Sequence, residues 1–82
     1  MNLLNIDNTA VDLNAQAAPF LPNNTVLLVS AAAVTVQESD DEAFTTPVTL
    51  GAVTVAGVFQ KVTLSKQYVR VSTVADAQLI GN

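Results

Sequence analysis

Cysteine, histidine and tryptophan are absent from this chain, and only ten of its 82 residues carry a formal charge, seven acidic and three basic. Each absence removes a class of chemistry. Without cysteine there is no disulfide and no thiolate nucleophile; without histidine as well there is no zinc site of the usual kind and no imidazole base to activate a serine. Ser30, Ser39, Ser65 and Ser72 are therefore structural by default, and Lys61 and Lys66 stand in no motif that would activate one of them. The chain reads as a non-enzyme, with no catalytic residue, no cofactor and no metal.

Charged residues make up 12% of the chain, against about one quarter in a typical domain. So few charges cannot coat a monomer in the ordinary way, which points to a surface that is covered in use. The net charge of −4 argues against nucleic acid, because phosphate binding needs clustered basic residues and Lys61, Lys66 and Arg70 are all there are. Met1 to Leu13 carries no basic residue and no long apolar run, so it does not read as a secretory signal. Val26 to Val36 is apolar but interrupted by Ser30 and Thr35, and a membrane span needs about 20 residues. The expectation is a soluble protein that is not secreted by a classical signal and has no membrane partner.

A chain of this length buries only about 60–65% of the surface exposed by its unfolded form. Small domains usually gain stability from disulfides, a metal or oligomerisation; with no cysteine or histidine, oligomerisation or docking is the route that remains.

What is present is half hydrophobic, and the β-branched residues Val and Thr dominate after residue 25. Strands are predicted at 26–31, 34–38, 44–50, 52–56, 58–64, 68–73 and 78–80. Ser39 to Glu42 forms an acidic turn between them, Gly51 and Gly57 mark turns or bulges, and Pro47 limits its run to an edge strand or two shorter pieces. Alternation sets Val34 and Val36 against Thr35 and Gln37, and Val58, Val62 and Leu64 against Lys61 and Thr63. The fold class that follows is all-β: a small antiparallel β-sandwich or jelly-roll-like barrel over residues 25–82.

Residues 1–24 differ in composition, with Asn at 2, 5, 8, 14, 23 and 24 and a closing Pro19-Phe20-Leu21-Pro22. They read as an extended N-terminal arm, lying on its own domain as an edge strand or reaching a neighbouring subunit. Leu3, Leu4, Ile6, Phe20 and Leu21 make it too apolar for a disordered tail, so they are interface candidates. Asn23-Asn24-Thr25 is a turn.

Glu38, Asp40, Asp41 and Glu42 place four carboxylates within five residues. A calcium loop would space its ligands alternately and include a glycine; this segment has none, so it reads as a solvated turn whose aspartates cap local backbone groups. Arg70 shares a strand face with Tyr68, and its expected partner is a carboxylate, Glu38 or the acidic turn. Both residue types favour interfaces, which adds Tyr68 and Arg70 to the interface candidates. Phe20, Phe44, Phe59 and Tyr68 are too few and too dispersed for a sugar-stacking platform, and core positions are expected of them.

Thr35-Val36-Gln37-Glu38-Ser39-Asp40-Asp41-Glu42-Ala43-Phe44 followed by Lys66-Gln67-Tyr68-Val69-Arg70-Val71 resembles a pattern in small β-sandwich head proteins of tailed bacteriophages, which they share with discoidin-like jelly rolls. The resemblance covers residues 34 to 73. It departs from the pattern at Asp41-Glu42, where Asp-Gly is common, and at Phe44, where tryptophan is frequent. It implies a capsid decoration, or cement, protein made in the host cytoplasm and carried on the virion surface, binding the major capsid protein and identical copies, most often as a trimer. The alternative is a carbohydrate-binding or adhesin-type sandwich of a virion fibre or head appendage.

Overall fold

A computed structural model describes residues 2–81 as an all-β sandwich. Eight strands form: β1 (Asn2–Ile6), β2 (Val11–Asp12), β3 (Thr25–Val29), β4 (Val34–Ser39), β5 (Val48–Val53), β6 (Gln60–Thr63), β7 (Tyr68–Val71) and β8 (Ala77–Gly81). They build two four-stranded antiparallel sheets, ordered β1-β8-β3-β6 and β2-β7-β4-β5. The winding follows from the pairing. β4 and β5 form the innermost hairpin, then β3 pairs β6, β2 pairs β7 and β1 pairs β8, with successive pairs alternating between the sheets. That nested order is the jelly roll.

The alternation read at β4 is observed: Val34 and Val36 are buried while Thr35 and Gln37 face outward. Leu28, Val36, Leu64, Val69, Val71 and Leu79 lose all solvent exposure between the sheets, each contributing about 1.5–3 kcal/mol of transfer free energy. The first 24 residues supply part of this layer. Asn2 to Ile6 pair with β8 as an edge strand, and Ile6, Leu13 and Phe20 belong to the core cluster.

Three local expectations change. The runs predicted at 44–50 and 52–56 are joined in one strand, β5, which begins directly after Pro47 and passes through Gly51. Gly51 is not a break because the register shifts there: Val36 opposes Gly51 while Gln37 opposes Thr49, so Leu50 is the extra residue of a bulge. The glycine serves close packing, since a Cβ at this position would stand 2.8 Å from Val62 Cγ1 and 3.3 Å from Leu28 Cδ2. Val58 lies outside the strand and is 54% exposed, because β6 starts only at Gln60; Val62 and Leu64 are buried. Phe44 is buried but sits in a connection with φ of 53° rather than in a strand.

Gly51→Ala should therefore lower the unfolding free energy by about 1–3 kcal/mol through overpacking. Combined with Val62→Ala, it should cost less than the sum of the two single changes. Denaturant midpoints of the four chains measure this, and strict additivity would show that the two side chains do not compete for the space.

Candidate functional site

The charged residues concentrate at one end of the β2-β7-β4-β5 sheet, where the β4–β5 connection meets the β6–β7 connection. Asp41 organises this corner. Its carboxylate accepts hydrogen bonds from Ser39 Oγ at 2.7 Å, Thr45 Oγ1 at 2.7 Å and the Thr45 amide, while its carbonyl accepts from the Phe44 amide. The Thr45 and Ser39 hydroxyls stabilise the ionised form and hold its pKa below the ordinary 3.8. Glu38 is buried on the inner side and accepts from Ser65 Oγ at 2.7 Å and the Ser65 amide, tying β4 to the β6–β7 connection. Asp40 pairs with Lys66 at 3.3 Å in an exposed bridge that adds little stability.

The acidic turn is thus built as a set of caps. Three of its four carboxylates are engaged by named donors, and among the described residues no group of three or more potential ligands is placed to hold a metal ion. Two shallow clefts at the opposite rim are lined by Val, Ala, Thr, Ser, Phe, Gln and Lys residues.

Arg70 departs from the expected partnership with a carboxylate. Its guanidinium stacks over the Phe44 ring at 4.2 Å from the centroid, and Nε donates to Gln37 Oε1 on the neighbouring strand at 3.4 Å. Glu38 points inward to Ser65 and is not available to it. The stacking holds the Phe44 connection down on the sheet, an interaction of about 0.5–2 kcal/mol. Tyr68, on the same face, lies near Asp12 and receives a hydrogen bond from Gln67 Nε2. Partial burial, with the charges of Asp12, Glu42 and Asp41 added, raises its pKa above 10.0.

The other interface candidates separate by exposure. Ile6 and Phe20 lie inside the sandwich, Leu4 packs against the core, Leu21 is half-buried, and Leu3 is 52% exposed on the outer side of β1. Sequence reasoning missed a second apolar group. Val55, Val58 and Phe59 are each more than half exposed on or beside the β5–β6 connection, around a shallow cleft of about 460 Å³ that they line with Ala52 and Thr54. Phe59 is not the core residue expected of it, because it precedes β6 on the outward side. The signal that could have found this tip is Val55-Ala56-Gly57-Val58: Gly57 has φ of 79°, the Val58 amide bonds the Val55 carbonyl, and the turn throws both valines outward. The Gly57 amide also bonds the Ser30 carbonyl, which fixes the tip to the β3–β4 turn.

Comparison with family models, with curated proteins and with solved structures returned no match to the chain.

The Asp41 caps give a pH-dependent prediction. A carboxyl whose folded pKa is depressed contributes stability that is full above its unfolded value of 3.8 and is lost as pH falls through the lower folded value. Asp41→Asn should lower the thermal midpoint at neutral pH, and its gap from the unchanged chain should narrow at about pH 2.5. Thermal unfolding followed by circular dichroism at the two pH values reads the gap, and an equal gap at both would remove the ionised caps as the cause.

Proposed function

We propose that this chain is a non-catalytic structural protein that binds the outer surface of a phage capsid and stabilises it. The fold alone does not choose this, since jelly rolls serve capsid and lectin domains alike. The observation that carries the reading is the tip of the β5–β6 connection. Val55 and Val58 stand 60% and 54% exposed beside an open cleft, held in place by the Gly57 to Ser30 hydrogen bond. An ordered apolar projection of this kind fits a protein surface, with Lys61 the one charged residue lining the cleft beside it.

The sequence resemblance over residues 34–73 supports the virion setting, and the scarcity of charge supports a molecule that works packed against others. Repeated copies on a shell would multiply a modest contact into strong retention. A glycan-binding surface would need aromatic rings presented together; Phe20 and Phe44 are buried, leaving Phe59 exposed among the phenylalanines.

The test is uptake by empty shells of the virus that carries the chain, assembled without it and followed by co-sedimentation. The unchanged chain should bind saturably and raise the shells' melting temperature. Val55→Asp, at a site too exposed to disturb the core, should weaken uptake by about tenfold or more. No uptake of the unchanged chain at saturating concentration would overturn the proposal.

A further inference from the structure

Two shallow clefts meet at the start of β6. The cleft of about 460 Å³ beside the tip has Val55 and Val58 in its lining, and another of about 350 Å³ opens on the outer face of the β1-β8-β3-β6 sheet beside Leu27 and Ile80. Phe59, just before β6, and Lys61, on it, are both exposed and line both clefts, so the two share one wall. That wall pairs an aromatic ring with an ammonium group on an edge strand.

Lys61 differs from the other two basic residues. Lys66 is engaged by Asp40, and the Arg70 guanidinium lies on Phe44 and donates to Gln37. Among the described residues Lys61 makes no salt bridge, and no carboxylate lines either cleft. Two carboxylates do flank this sheet: Asp76 precedes β8 near the Ser30 anchor of the tip, and Asp7 follows β1. From the pairing register and strand spacing their Cα atoms lie about 16 and about 20 Å from that of Lys61, too far to neutralise it.

We propose that this shared wall receives an extended acidic segment of the shell protein's outer surface, with an apolar side chain in the cleft beside Val55 and Val58 and a nearby carboxylate accepting from Lys61 Nζ. The inference rests on the shell-binding reading and names the chemistry of the partner at the same site. Charge complementarity selects the occupant. The chain carries −4 overall, so an anionic segment is repelled by the acidic turn and attracted where a basic group lacks a partner. In an extended segment, side chains two residues apart stand on one side about 7 Å from each other. A carboxylate two residues from an apolar side chain therefore matches the spacing of Lys61 from Phe59, while the aliphatic stem of Lys61 adds apolar contact.

Uptake of full-length variants by the empty shells tests it. Lys61→Arg should bind within about twofold of the unchanged chain, Lys61→Gln about threefold more weakly and Lys61→Glu at least about tenfold more weakly, all with unchanged circular dichroism. Raising salt from about 50 to about 500 mM should weaken the unchanged chain and narrow its lead over Lys61→Gln. Contact is read with a zero-length carbodiimide, which joins an amine to a carboxylate beside it. Peptide mapping of loaded shells should find Lys61 joined to an Asp or Glu of the shell protein, and Lys61→Arg should bind without that link. Uptake of Lys61→Glu equal to that of the unchanged chain would overturn the assignment and leave shell binding standing. So would loaded shells in which Lys61 stays unlinked or is joined only to a second copy of this chain. No uptake of the unchanged chain would overturn both readings.

Discussion

The dry layer of branched aliphatic side chains between the two sheets is the contact on which the rest of this molecule depends. Without cysteine there is no disulfide, and without cysteine and histidine no zinc site of the usual kind, so the chain gains its cohesion from burial. Nested pairing makes that achievable in 82 residues. Because β1·β8, β3·β6, β2·β7 and β4·β5 alternate between sheets, segments from both ends of the chain meet in the centre, and Ile6 and Leu13 share one cluster with Ala77 and Leu79. Gly51 sets how closely the sheets approach at the β5 edge. Where any other residue would carry a Cβ, Val62 and Leu28 already fill the space.

Polar groups act at the ends of this layer, where strands leave it and backbone donors lose their ladder partners. Glu38 reaches from the end of β4 to the Ser65 amide and hydroxyl, and Asp41 collects Ser39 and Thr45. A buried carboxylate is tolerable only when such donors replace water. Among the described residues no buried side-chain nitrogen or oxygen is left without a partner. The charges of the acidic cluster serve the fold first: three of its four carboxylates are already occupied as acceptors.

Strand identity and facing were legible wherever one face meets the core, as at Val34 to Gln37, because alternation in sequence is alternation in space. The partner of Arg70 was not legible. A carboxylate is the commonest choice, and stacking on Phe44 becomes available only because that residue adopts positive φ and folds its connection over the sheet. A bulge at Gly51 was one of the two readings the sequence allowed, but the continuity of the strand through it was not legible. A bulge is a property of two paired strands, and its compensating shift between Val36 and Gln37 lies on the other strand. The outward Val58 and Phe59 depended on where β6 begins, and a two-residue difference in a strand start changes which side chains are enclosed. The apolar character of the first 24 residues was legible; that Leu13 and Phe20 end in the core, while Leu3 stays outside, is decided by pairing with β8 and β7.

The distribution of charge between the two sheets follows from the winding. The acidic turn joins β4 to β5, both in one sheet, and Asp12 and Arg70 lie on β2 and β7 of that same sheet. The other sheet receives strands whose outward positions are Leu, Ile, Thr, Asn and Gln, with Lys61 the exception. Asp7 and Asp76 stand exposed just past β1 and just before β8, so carboxylates flank this sheet too although its strands carry none. The few charges thus have a place: Lys61 apart, they lie on the β2-β7-β4-β5 sheet or in the connections where strands end.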